Sequence, residues 1–328
     1  MASERRVSVV IPVYNSEGSV GEVVRRLEAV LLPMTRAFEI ILVNDGSRDN
    51  SWDVLQELAR TKPFVRAFDL MRNFGQHNAL LCGIRAARYE ITLTLDDDLQ
   101  NPPEESPLLI ERLEQGFDVV WGTPSREQHG LFRDIASVFT KMAMQKAMGV
   151  DNARSVSPFR AFRTDLRKAF ASYNSPYVSI DVLLSWGARR FSSVTVKHAP
   201  RTIGASNYSF RKLVSHALNM FTGFSTWPLR VASLTGFAFT AFGICVLLFV
   251  IIRYVIQGTP APGFPFLASI IAIFSGAQLF AMGIIGEYLA RMHFRMMEKP
   301  LYVVRTSVDP LQQEESERDA EVLAGTNP

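Results

Sequence analysis

The chain has 328 residues, 48% of them hydrophobic and 20% charged, with a formal charge of +3. That length suits one large domain or two modest ones, the composition excludes a disordered chain, and the small net charge excludes a general nucleic-acid surface. Cys82 and Cys245 are far apart and Cys245 lies in an apolar run, which argues against a disulfide framework or a zinc site.

The start is polar from Met1 to Arg6, and the short apolar stretch after it ends at Pro12, so no secretory signal is expected there. VSVVIPV (7–13) reads as a buried strand. SVGEVVRRLEAVL reads as a helix, with Ser19 and Glu22 spaced as a capping box. EIILVNDGS (39–47) is a strand running into a turn, and NSWDVLQELA a second helix. VRAFDL (65–70) is a third strand, GQHNALLCGIRAA a third helix, and EITLTLD (90–96) a fourth strand. A helix over about 104–115 and a strand at FDVVWG follow. Continuous apolar strands separated by helices predict an α/β domain: a Rossmann-like, mostly parallel sheet covered on both faces.

The last third is different. Runs 231–252 and 264–285 carry no charge, and each is long enough for the ~20 residues a helix needs to cross a bilayer. Neither shows the charged stripe of a partly exposed soluble helix. Arg230 precedes the first run, and Arg291, Arg295 and Lys299 follow the second. The positive-inside rule then puts both flanks in the cytoplasm and the Gly/Pro loop, with Arg253, outside. Upstream, Arg211 and Lys212 beside Phe221, Phe224 and Trp227 suit a helix lying at the membrane interface. The expected organisation is an α/β domain over 1–207, an amphipathic segment over 208–228, a transmembrane hairpin over 229–290, and a partly disordered cytoplasmic tail over 291–328. Gly276, Gly283 and Gly286 could let helices pack closely.

Ligands of open α/β sheets bind beyond the carboxyl ends of the strands. Asp45 sits at one such end and Asp96 to Asp98 at another, so both are expected to line one crevice. Asp45 in NDGS is also good turn chemistry. Three adjacent carboxylates at the mouth of a buried sheet repel one another, and a divalent cation would remove that repulsion. Mg²⁺ or Mn²⁺ takes hard oxygen ligands, usually one or two carboxylates with substrate phosphates and water. In an extended segment Asp96 and Asp98 point the same way, Gln100 continues the spacing, and Asp97 points elsewhere, toward a sugar or ribose. The chain has no GxxxxGK[ST] and no GxGxxG after its first strand. A bound diphosphate would therefore depend on the metal for charge neutralisation.

VVIPVYNSEGSV, ILVNDGSRDNS, RNFGQHNALLCGI and LDDDLQNPPEE together resemble the consecutive motifs of glycosyltransferase family 2, and most closely its polyprenyl-phosphate branch, over roughly residues 6–300. The resemblance implies a GT-A fold. It implies that Pro12, Tyr14 and Asn15 shape a nucleotide pocket, that Asp45 bonds the nucleobase, and that Gln76 and His77 sit near the donor with Gly75. It implies that Asp96, Asp98 and Gln100 hold the metal. The chain departs from the family at Asp97, where Ala is usual, and at Asn44, where Asp is usual.

A lipid phosphate acceptor needs cations near the bilayer, and Arg binds two oxygens at once. Arg126 and Arg133 stand where the resembling enzymes place such arginines, and Arg201, Gly204, Ser206, Tyr208 and Ser209 match a second family element, with Asn207 where Lys is common. Arg160 to Phe162 match a further element, here preceded by Ser157-Pro158. Asp181 and Asp151 are left open as catalytic or structural, and Trp121 is a suspect for sugar recognition. The expected reaction is inverting, in-line attack by a polyprenyl-phosphate oxygen on the anomeric carbon of a nucleotide sugar, with UDP as the first choice and GDP as the second. A phosphate monoester is largely ionised above pH ~6, so no strong base is required. The expected setting is a bacterial-type plasma membrane, with a homo-oligomer as in resembling enzymes. Two alternatives remain: transfer to a glycan or protein hydroxyl, which would need a base, and a non-catalytic nucleotide-sugar-binding membrane protein.

Overall fold

The computed structural model describes residues 5–124, 156–175, 178–198, 227–257 and 264–310. The chain forms two compact units: Met1–Ser209 with Lys299–Pro328, and Phe210–Glu298.

The first unit is built on strands β1 (Arg6–Val13), β2 (Ala37–Asn44), β3 (Val65–Leu70), β4 (Ile91–Thr94), β5 (Val119–Pro124), β6 (Arg160–Arg163), β7 (Phe191–Val196) and β8 (Val304–Val308). Its helices are α1 (Val20–Leu31), α2 (Ser51–Thr61), α3 (Gln76–Ala86), α4 (Ser106–Glu114) and α5 (Ile180–Ser185). The sheet order is β7-β5-β6-β4-β1-β2-β3-β8. β1 pairs parallel with both β2 and β4, and β2 with β3, whereas β6 and β8 run antiparallel to their neighbours. From β1 the chain winds outward through β2 and β3, then returns to place β4 on the other flank of β1. The strand order thus reverses between β1 and β4, the position where such sheets open a crevice.

The strands are apolar because both faces are covered. After Arg6 every residue of β1 is buried, and all of β4 is too. Helix α1 buries Val20, Val23, Val24, Leu27 and Leu31, the i, i+3, i+4 stripe of a helix lying on a sheet. Its predicted capping box is absent. The Ser19 side chain makes no cap bond to the helix; its hydroxyl turns back to the Ser16 carbonyl at 3.4 Å, and Glu22 is held by Arg25 at 2.6 Å.

Strand β8 lies inside the stretch expected to be a tail. It covers the β3 edge, where unpaired backbone groups would otherwise face water. Behind it, Arg66 donates to Asp309 at 2.8 Å and to Glu39 at 2.9 Å, all three residues being buried. Residues after 310 lie outside the described residues.

The second unit contains α6 (Trp227–Gln257) and α7 (Phe264–Met296). Leu229–Ile256 and Ile273–Met296 are long and apolar enough to cross a membrane, and neither is buried inside the protein. Leu234, Phe237 and Val255 are each at least 70% exposed, an arrangement that water would penalise and lipid would not. The two helices meet at Phe239 and Phe274, whose ring centroids are 5.7 Å apart, and a Cβ on Gly243 would lie 3.0 Å from Phe274. Gly276, Gly283 and Gly286, expected to allow close packing, have nothing within 4 Å of a Cβ position. Within the hairpin the close approach is therefore at Gly243.

Candidate active site

The carboxyl ends of β1, β2 and β4 open into a cleft of about 300 Å³. Pro12, Val13 and Tyr14 line it from β1, Asp45 from β2, and Asp96, Asp97 and Asp98 from the turn after β4. Asn73, Gly75 and Gln76 close it from the loop entering α3. Asp45 and the acidic triplet, 51 residues or more apart in sequence, thus share one wall-to-wall space because parallel strands bring their ends together.

Asp45 is 2% exposed, and its Oδ1 and Oδ2 accept the backbone N–H groups of Phe74 at 2.7 Å and Gly75 at 2.9 Å. Burial pushes its carboxyl up from 3.8 to about 6, against the opposing pull of those two N–H groups. Asp45 is therefore the latch that holds the α3 entry loop. Two glycines make the latch fit. Gly46 has φ +65°, and a Cβ on it would lie 2.5 Å from the backbone of Arg72 and Asn73; Gly75 has φ +95°.

In the triplet, each carboxylate has a separate tie. Gln76 Nε2 donates to Asp96 Oδ1 at 2.6 Å. Asp97 Oδ2 accepts the Tyr14 N–H at 3.2 Å, and burial raises its carboxyl above the usual range. Asp98 Oδ1 accepts the Gln100 N–H at 3.1 Å. Leu99 takes φ +60°, a left-handed conformation costly for a side-chain-bearing residue. The chain turns there, so the alternating direction expected to bring Gln100 alongside Asp96 and Asp98 does not continue. Gln100 is not among the cleft-lining residues.

Asn15, at φ 54°, accepts the Arg48 N–H at 2.8 Å and so ties the β1 loop to the β2 loop without lining the cleft. His77, on the first turn of α3, accepts the Ile180 N–H at 3.5 Å and lies outside the lining. Trp121 is fully buried: its ring stacks on Phe191 and its indole N–H donates to Asp181 at 3.0 Å. It cannot meet a sugar in the cleft. Asp181 also receives Arg160 at 2.5 Å, with both side chains buried. The Trp121–Asp181–Arg160 cluster escaped the sequence reading because an Asp in the first turn of a helix is ordinarily explained by the helix dipole. Arg126, Arg133 and Asp151 lie outside the described residues, as do Arg201, Gly204, Ser206, Asn207, Tyr208, Ser209 and the amphipathic segment upstream of Trp227.

Among the described residues no three His, Cys, Asp or Glu side chains are grouped to hold a metal. The cleft instead offers Asp96 and Asp98, two hard-oxygen donors on one turn. That set fits a cation which takes its remaining ligands from a diphosphate and water.

Residues 8–170 match the family described as Glycosyl transferase family 2. An undecaprenyl-phosphate 4-deoxy-4-formamido-L-arabinose transferase from Pseudomonas aeruginosa (strain LESB58) is 39% identical over 305 residues, covering 92% of this chain and 90% of that protein. A relative of the same name from Yersinia pestis bv. Antiqua (strain Angola) is 37% identical over 320 residues, covering 97% and 98%. Among solved structures, glucosyl-3-phosphoglycerate synthase from Mycobacterium tuberculosis, in complex with Mn²⁺, UDP and phosphoglyceric acid, superposes with a TM-score of 0.50 at 17% identity, covering 66% of this chain and 76% of that one. That likeness establishes the GT-A architecture alone. With relatives matched along nearly their whole length and the family motifs gathered around one cleft, this chain belongs to glycosyl transferase family 2.

Proposed function

We propose that this glycosyltransferase moves a sugar from a nucleoside diphosphate sugar to a polyprenyl phosphate, yielding a polyprenyl-phosphate sugar at the membrane. The observation that carries the reading is the cleft: a 300 Å³ space at the strand-order reversal, bordered by Asp45 and by the Asp96–Asp98 turn, in a chain that also carries two lipid-length helices. The names of the relatives support the lipid acceptor, and undecaprenyl phosphate is the proposed one.

Asp96 and Asp98 would hold Mg²⁺ or Mn²⁺, which when bound offsets the charge on the leaving diphosphate. Gln76 keeps the Asp96 carboxylate oriented. Asp97 fixes the Tyr14 backbone, and Pro12 and Tyr14 present the floor on which the nucleotide lies. An acceptor phosphate oxygen attacks the anomeric carbon as the bond to the diphosphate oxygen breaks, the configuration inverts, and the nucleoside diphosphate leaves. The nucleophile is already ionised near neutrality. Catalysis then rests on positioning and charge. Arg126, Arg133, Arg201 and Ser206 are the proposed acceptor-phosphate contacts. The basic flanks of the hairpin favour a cytoplasmic active site, and a homo-oligomer is proposed.

The test is a donor screen on membranes containing the protein, with divalent cation and a short polyprenyl phosphate, reading out lipid-linked sugar. It starts from the UDP form of 4-deoxy-4-formamido-L-arabinose. Labelled product in the lipid fraction is expected; transfer only to a glycan or protein would reject the reading.

A further inference from the structure

The loop that closes the cleft is gripped from two sides. On one side the Asp45 carboxylate holds the Phe74 and Gly75 N–H groups. On the other stands β8, which follows the hairpin in sequence and belongs to the same compact unit as the cleft. Met71 N–H donates to the Val303 carbonyl at 2.9 Å, and Arg305 Nη2 donates back to the Met71 carbonyl at 2.9 Å. Just before Met71 the register of β3 and β8 slips: Asp69 faces Thr306 and Leu70 faces Val304, so Arg305 is the bulged residue. A bulge re-aims a side chain, and bulges gather beside functional sites. This one brings Arg305 Nη1 to 3.4 Å from Asp69 Oδ2.

Asp69 is 3% exposed at the end of β3. Its Oδ1 accepts from Asn44 Nδ2 at 2.7 Å, and Asn44 Oδ1 accepts the Ser47 N–H across the turn that carries Asp45. A chain of contacts therefore runs from the C-terminal strand through Arg305, Asp69 and Asn44 into the turn bearing the latch. The same contacts give position 44 a reason to carry an amide. An Asp at position 44 would place a second buried carboxylate against Asp69, and two such charges in contact are strongly unfavourable. An amide donates where a carboxylate would repel.

We propose that Asp69 is a positioning residue for the donor cleft, set by Asn44 on one side and by Arg305 of the C-terminal strand on the other. This rests on the reading of the cleft as a nucleoside diphosphate site. It makes β8 part of the donor site's supporting frame, although it reaches the sheet only after the membrane segment. It also predicts that Asn44 and Asp69 can be exchanged only as a pair.

The test uses the full chain in nanodiscs and measures UDP and GDP affinity by calorimetry with Mn²⁺ present, beside the melting temperature. Asn44→Asp should weaken UDP binding by about tenfold or more, and Arg305→Ala by several-fold, equivalent to roughly 1 kcal/mol. The double variant Asn44→Asp/Asp69→Asn, which reverses donor and acceptor, should recover most of the loss, a coupling that a double-mutant cycle isolates. Steady-state kinetics should show the effect in the donor KM, with the acceptor KM unchanged. If the variants melt earlier but bind UDP as the wild type does, the chain of contacts is merely structural and the proposal fails. If Asn44→Asp does not fold, Arg305→Ala decides by the same criterion. If the wild type binds neither nucleotide, the reading of the cleft itself falls, and the proposal with it.

Discussion

Asp96, Asp97 and Asp98 are consecutive, yet the fold gives each a different task, because each carboxylate is tied to a different segment. Asp96 is held by Gln76, Asp97 holds the Tyr14 backbone, and Asp98 receives the Gln100 N–H. Removing Asp98 should therefore act on cation and diphosphate. Asp98→Asn is expected to lower kcat/KM by roughly 100-fold or more with little change in melting temperature. Parallel activity and melting assays check this, and a large loss of stability would contradict it. Stripping divalent cations with a chelator should likewise stop transfer, and added Mn²⁺ or Mg²⁺ should restore it. Asp45 behaves differently because it is buried. It keeps its proton to about pH 6 in the folded chain against 3.8 in the ordinary state. Its contribution to stability is full below the lower value and is lost as pH rises through the upper one. Asp45→Asn removes that dependence, so the wild-type advantage in melting temperature over the variant should grow as pH is lowered through this window. That Asp45 and the triplet face one cleft was legible in the sequence, since both follow apolar strands. The burial of Trp121 and Asp181 was not, because burial depends on what packs above a residue.

Among the elements, β1 through β4 and their helices follow the sequence pattern closely, since a buried parallel strand needs an unbroken apolar run and α1 needs its stripe. Local polar rules served less well. Ser19 and Glu22 have capping-box spacing, but nearby Arg25 and the Ser16 carbonyl offered better partners. The extended geometry assumed through Gln100 fails at Leu99, whose left-handed backbone no period-two argument anticipates. Strand β8, VRTSV, lies inside the stretch 291–328 expected to be a cytoplasmic tail. It is an edge strand, and its attachment comes from backbone pairing and from Asp309, which accepts from Arg66 and Arg88. Asp309→Ala would leave buried Arg66 with Glu39 as its one carboxylate partner among the described residues, beside the Ala86 carbonyl. Breaking a buried charge cluster in this way is expected to cost about 3 kcal/mol, readable as a lower midpoint in denaturant titration.

For the whole molecule, the hairpin interrupts a domain whose last strand lies beyond it. A chain cut before Trp227 therefore loses β8 and exposes the β3 edge. Such a truncation should be less stable and more prone to aggregate than one in which a flexible linker replaces residues 227–298 and retains β8. Hydrogen exchange at Val65–Leu70 would show the difference as faster exchange in the first form only. The exposed apolar side chains of α6 and α7 predict that the full chain needs detergent or lipid to stay dispersed. By itself the sequence determined the α/β class, the two lipid-length helices and the acidic strand end, because these depend on apolar periodicity, length and charge along the chain. Tertiary structure alone decided which segment holds each of these carboxylates, why Asn stands at position 44, and that the C-terminal strand completes the sheet. Each of these turns on partners far apart in sequence, and only the folded chain chooses among the partners that local chemistry permits.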